Sequence, residues 1–197
     1  MKGDEKLSLE ETVRRCQEGD TEAFRELFRK MGSKAFGTAY LISGKRGLAE
    51  DIVQEAFVCC LEKIKTLKSP EAFNVWFYRM IVRIGWKMVK NQAKLVPDEN
   101  LPQNFSAQDM EEEIQTKLTN KKLHEAISEL PDNLKTVVIL FYFNGMTVEE
   151  IAKVTRNFKA TVKTRLYYAR NALRRKLEED MAVHEESFGG NPSLKKA

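Results

Sequence analysis

Apolar residues recur at three- and four-residue spacing along most of this chain, and that period predicts helices. Ser8 and Glu11 form a capping-box signal that opens a short helix through Glu18, which Gly19-Asp20 then stops. From Thr21, the residues Ala23, Phe24, Leu27, Phe28 and Met31 repeat with helical period, and a third helix from Ser33 carries Ala35, Phe36, Ala39, Tyr40 and Ile42 to the break at Ser43-Gly44. A helix from about Leu48 to Ile64 turns Ile52, Ala56, Phe57, Cys60, Leu61 and Ile64 towards a core. Its opposite face carries Glu50, Asp51, Gln54, Glu55, Val58 and Glu62. After the bend at Lys68-Ser69-Pro70, Phe73, Phe77, Met80, Ile81 and Ile84 give the next helix its inner side.

The pattern lapses over residues 93–117, which are rich in polar and acidic residues and read as a linker. It resumes with Leu123, Ile127 and Leu130, is interrupted at Pro131, and becomes strongly apolar from Leu134 to Phe143, a stretch expected to form the core under the last two helices. Thr147 and Glu150 make a second capping box, ahead of Ile151 and Val154. After Thr155-Arg156-Asn157, the residues Phe158, Val162, Leu166, Ala169 and Leu173 return at helical spacing. Two short helices around such a break outline a helix-turn-helix. Beyond residue 178 the sequence turns acidic and loses its pattern, so residues 179–197 are expected to be a frayed tail.

Charge changes this picture. Between Ile151 and Leu177 stand Lys153, Arg156, Lys159, Lys163, Arg165, Arg170, Arg174, Arg175 and Lys176 with no acid, +9 in a chain whose net charge is +4. A cationic second helix with short polar and tyrosine side chains off its apolar stripe suits a DNA major groove, where phosphates give affinity and base edges are read. A second basic stripe, Trp76, Arg79, Arg83, Trp86, Lys87 and Lys90, interleaves cations with tryptophans as single-strand binding requires. Burial in the core is the equal alternative for either tryptophan. Asp51, Gln54, Glu55 and Val58 share one stripe at i, i+3, i+4 and i+7, either solvated or a dock for a basic partner.

The three cysteines, Cys16, Cys59 and Cys60, have neither metal-ligand spacing nor a pairing framework, and are expected to be reduced thiols. The two histidines, His124 and His184, have no nucleophile or ligand partner nearby in sequence, so no catalytic residue, metal or cofactor is expected. The first residues, MKGDEKLSLEE, lack the apolar core of a signal peptide, and no long uncharged apolar run is present, which predicts a cytoplasmic location.

Taken together, AEDIVQEAFVCCLEKI, SPEAFNVWFYRMIVRI, LPDNLKTVVILFYFNGMTVEEIAKV and TVKTRLYYARNALRRKL resemble the bacterial RNA polymerase sigma factors of the extracytoplasmic-function (ECF) group. The resemblance runs from about Gly19 to Leu177 in the order region 2, linker, region 4. It implies an all-α fold of two small helical domains joined by a flexible linker: a lead-in helix in 1–18, region 2 in 19–92, the linker in 93–117, region 4 in 118–178 and the tail. It further implies that Asp51, Gln54, Glu55 and Val58 dock on the core polymerase. Lys68, Ser69, Asn74, Trp76, Arg79, Arg83, Trp86 and Lys87 would meet the opened minus-10 strand, and Lys159, Thr161, Lys163, Thr164, Arg165, Tyr167, Tyr168 and Arg170 would read minus-35 duplex.

An anti-sigma partner, commonly membrane-bound in this group, is implied as well. Two departures stand out: Arg83 replaces an Asn common in the group, and Arg156-Asn157 replace a glycine and an apolar residue. Asn157 is therefore expected to cap the recognition helix, with Phe158 anchoring the turn. The rival readings are a stand-alone helix-turn-helix regulator, which would leave Asp51, Gln54 and Glu55 as mere surface, and a nucleic-acid enzyme, for which the sequence offers no catalytic set.

Overall fold

The computed structural model describes residues 7–95 and 123–188, and among these there are helices and turns but no strand. Four helices make the N-terminal unit: α1 (Leu9–Glu18), α2 (Thr21–Ser43), α3 (Arg46–Lys63) and α4 (Phe73–Leu95). Short 3-10 turns at Ile64–Thr66 and Pro70–Ala72 join the last two. The C-terminal unit comprises α5 (residues 123–128), α6 (Asp132–Val138) running into a π turn (Ile139–Phe143), α7 (Val148–Thr155) and α8 (Lys159–Phe188). The linker predicted over 93–117 lies outside the described residues, apart from the end of α4.

Local chemistry accounts for the boundaries. Ser8 Oγ accepts from the Glu11 amide at 3.1 Å, but the Glu11 carboxylate turns outward to Arg14 at 3.0 Å, so only half of the expected box forms. Gly19 ends α1 with φ 94°, a left-handed geometry that favours glycine, and its N–H returns to the carbonyls of Arg15 and Cys16. Asp20 then caps α2 through the amides of Glu22 and Ala23. Those bonds and the Arg15 guanidinium hold its carboxyl below the usual range.

The helices predicted from Thr21 and from Ser33 are one. Leu27, Met31, Ala35, Thr38, Ala39 and Ile42 form an unbroken buried stripe through Gly32-Ser33, and that packing overrides the weak helix preference of the two residues. α8 likewise continues ten residues past the boundary expected at 178, because EEDMAVHEES offers good helix formers and no Gly or Pro before Gly189.

Around Phe57 and Phe77 the N-terminal unit assembles a ring cluster. The centroids of these two rings are 4.9 Å apart, Phe73 stacks on Phe77 at 5.4 Å, and Phe24 meets Phe57 edge-on at 6.4 Å. Leu61, expected inside, is 56% exposed, whereas Cys60 is fully buried. The apolar stretch after Pro131 divides its loyalties. Val138 packs with Leu130 and Ala169 under the basic helix, while Val137, Ile139 and Leu140 join the core of the N-terminal unit, so one hydrophobic core runs through both units. Leu123, predicted to face inward, is 40% exposed and Ala126 takes the buried position.

No disulfide links the three thiols. Burial pushes Cys16 up to about 11 and Cys60 up to about 12, which cuts their thiolate populations at neutral pH roughly 100-fold or more. Iodoacetamide is therefore expected to modify the half-buried Cys59 alone in the native chain and all three cysteines in denaturant. Mass spectrometry of the alkylated protein reads this directly, and labelling of native Cys60 at the rate of Cys59 would contradict it.

Candidate functional site

α3 presents the acidic and amide stripe as expected. Asp51, Gln54, Glu55 and Val58 are all exposed, the last at 46%, because Ile52, Val53, Ala56 and Phe57 on the other side are held in the core. Leu61, three residues past Val58, continues the same stripe, although its apolar side chain reads as core in the sequence. Its spacing from Val58 is the signal that places it outside. The result is an acidic surface that also exposes two aliphatic side chains.

The loop before α4 is braced by α1, which the sequence does not reveal. Gln17 Nε2 donates to the carbonyls of Ile64 at 3.1 Å and Leu67 at 2.6 Å, and Ser69 Oγ hydrogen-bonds the Glu71 carboxylate. Lys68 and Asn74 are exposed beside it, and Ser69 is half-buried. Along α4, Arg83 and Lys87 reach solvent, whereas Trp76, Arg79 and Trp86 are half-buried, so both tryptophans lie between the two roles that the sequence leaves open. Trp86 Nε1 donates to Thr136 Oγ1 at 2.9 Å, and Lys135 Nζ sits 5.8 Å from the indole centroid. Arg79 Nη2 donates to the carbonyl of Lys153 at 2.5 Å, while its Nε is buried without an acceptor.

In the C-terminal unit the capping box closes fully. Glu150 N–H donates to Thr147 Oγ1 at 3.2 Å, and the Glu150 carboxylate accepts from the Thr147 amide at 2.8 Å. α7 ends on Arg156 at φ 54°, the one non-glycine residue with left-handed backbone among the described residues. The turn then departs from expectation. Asn157 does not cap α8: its Nδ2 donates back to the Thr155 carbonyl at 2.9 Å, and the first helical bond is accepted by Phe158 O. Phe158 anchors nothing, since it is 85% exposed. The left-handed turn at Arg156 displaces the register by one residue and leaves the phenyl ring at the head of α8, beside the cationic residues.

Lys163, Thr164, Tyr167, Tyr168 and Arg170 share the solvent face of α8, and Thr161 is half-buried at its edge. Lys159 is tied to Glu149 at 2.7 Å, an ion pair that holds the Glu149 carboxyl below the usual range. Arg165 faces inward instead, into a cleft of about 680 Å³ between α4 and α7–α8. Lys63, Arg79, Arg83, Arg156 and Arg165 line it together with Trp76 and Trp86, and no acid is among its walls. Among the described residues no cluster could hold a metal ion, and no helix is long and apolar enough to cross a membrane.

Residues 27–94 match the family Sigma-70 region 2, and residues 120–173 match Sigma-70, region 4. The RNA polymerase sigma factor SigV of Bacillus subtilis (strain 168) is 36% identical over 137 residues, covering 68% of this chain and 79% of that protein. The ECF RNA polymerase sigma-E factor of Haemophilus influenzae is 27% identical over 187 residues, covering 88% and 97%. Among solved structures, CnrH in complex with the cytosolic domain of CnrY superposes with a TM-score of 0.68 at 18% identity, covering 87% of this chain and 98% of that one. The sigma factor RpoE in complex with the anti-sigma factor NepR from Bartonella quintana gives 0.64 at 18% identity, covering 80% and 98%. These two show a shared fold. With both sigma regions present in order and with relatives aligned along most of its length, the chain belongs to the sigma-70 family of bacterial RNA polymerase sigma factors, in the ECF group.

Proposed function

We propose that this chain binds the RNA polymerase core through the α3 stripe of Asp51, Gln54, Glu55, Val58 and Leu61 and directs it to promoters. It reads minus-35 duplex with α8 and captures the opened minus-10 strand with α4 and its preceding loop. The chain contributes binding energy and no covalent step. The observation that carries this reading is the coexistence of an exposed acidic stripe with two separate basic faces, which a lone helix-turn-helix regulator has no use for. Unstacking bases costs a few kcal/mol, and the second basic face is positioned to offset that cost by stacking and phosphate contact. An anti-sigma protein of the kind seen with the structural relatives is the regulator proposed for it.

Run-off transcription with purified core polymerase over a genomic promoter library tests the whole reading. Specific transcripts that depend on this chain are expected, and none from any template would overturn it. The duplex face has its own test. Lys163→Ala or Arg170→Ala is expected to weaken promoter binding and to lower the slope of log affinity against log salt by about one unit each. Both residues are exposed, and Arg170 spends only its Nε on the Leu166 carbonyl at 3.3 Å. An unchanged slope in both variants would remove them from the DNA surface.

A further inference from the structure

We propose that the cleft between α4 and α7–α8 is a binding site for a free nucleotide, a nucleoside polyphosphate held one molecule at a time. Its volume of about 680 Å³ falls within the range of small-molecule sites, roughly 300–1,000 Å³. Its walls combine the two chemistries that such a ligand carries. Lys63, Arg79 and Arg83 from one unit and Arg156 and Arg165 from the other bring five cations to it, with no acid among the lining residues to answer them.

Most of that charge is uncommitted. Among the described residues the side chains of Lys63, Arg83, Arg156 and Arg165 make no ion pair and no hydrogen bond. Arg79 donates from Nη2 to the Lys153 carbonyl and keeps a buried Nε without an acceptor. A buried donor left unpaired costs free energy, and a phosphate oxygen supplies the missing acceptor. A polyphosphate chain presents several negative charges in a row, which forked guanidinium groups bind through pairs of parallel hydrogen bonds.

The base has partners of its own. Trp86 is fixed by its N–H bond to Thr136 Oγ1 at 2.9 Å, and Trp76 packs on Phe73 with ring centroids 6.0 Å apart, so both indoles are held in place before anything binds. A purine or pyrimidine stacks on such rings through its π face. Asn133 turns its Oδ1 to the Leu134 amide at 3.0 Å, which leaves Nδ2 to donate to a base edge. A cationic ligand finds no carboxylate among these walls, and an apolar one would strip water from the cations and return nothing.

Isothermal titration calorimetry of the full chain with ATP or GTP, in EDTA and about 150 mM salt, tests the site. One nucleotide per chain is expected, with Kd at or below about 100 µM. The matching nucleoside and inorganic tripolyphosphate should each bind at least about 10-fold more weakly, since each lacks one of the two sets of contacts. Tripolyphosphate as tight as the nucleotide would make the cleft a plain anion trap and overturn the assignment. Arg165→Gln should weaken nucleotide binding about 10-fold, and so should Arg156→Gly. The glycine variant keeps the fold out of the question, because φ 54° suits glycine: its melting midpoint should hold or rise while its nucleotide affinity falls. Arg174→Gln, exposed on α8 outside the cleft, should leave the affinity within about twofold. Full affinity in both cleft variants, or an equal loss in Arg174→Gln, would put the nucleotide on the general basic surface and overturn the proposal, as would no binding of ATP and GTP.

Discussion

Changing Asp51 and Glu55 together to alanine is expected to weaken binding to RNA polymerase core about 100-fold, roughly 2.7 kcal/mol. Two charge-assisted contacts at the centre of a protein interface supply that much when their partners are left buried without them. The fold should not notice. Both residues are exposed, and the contact that either makes within the described residues is a long approach of the Cys59 thiol to Glu55 Oε1 at 3.8 Å. Unfolding free energy should therefore stay within about 0.5 kcal/mol of the parent. Val58→Ala and Leu61→Ala should each add a smaller loss by removing apolar contact. A drop in core affinity below about threefold for the double variant would return α3 to solvated surface and leave a stand-alone DNA-binding protein as the better account.

Phe77→Ala should give the largest loss of stability, about 3–5 kcal/mol. The ring is fully buried and touches Phe57, Phe73 and Tyr78, so its removal leaves a cavity that neighbouring rings cannot close without abandoning one another. For a chain of this size each kcal/mol moves the midpoint by about 2–4 °C, which puts the expected fall near 10 °C. The shared core adds a further expectation. Val137, Ile139 and Leu140 pack with the N-terminal unit, so calorimetry should show a single transition moving as a whole. Two transitions of which only one shifts would mean that the units are thermodynamically separate. A loss under 1 kcal/mol would mean that the ring cluster repacks.

Period and caps make much of the architecture readable in advance. Ser8, Asp20 and Thr147 stand where local chemistry places them, and the stripe of Asp51, Gln54, Glu55 and Val58 needs only helical geometry to be recognised. Tertiary packing decides the remainder. Gly32-Ser33 looks like a break until the continuous burial of Met31 and Ala35 is seen to carry the helix across it. Leu61 looks like core because it is apolar, although its exposure follows from the turn it occupies.

The candidate site is legible residue by residue but not in its pairings. Arg165 reads as part of a DNA-facing helix, yet it meets Arg83 and Trp76 across a cleft that only long-range contacts create. No local pattern announces that Trp86 will find Thr136, fifty residues away. Phe158 escapes a sequence reading for a backbone reason, since a left-handed residue two positions earlier redirects it.

That residue, Arg156, holds φ 54°, where a Cβ crowds the backbone at about 1–2 kcal/mol and a glycine would rest without penalty. Heat tolerance and cationic reach are consequently antagonists at this one position. Any screen that rewards only survival at high temperature should discard the arginine early, and with it one of the five cations that line the cleft between α4 and α7–α8.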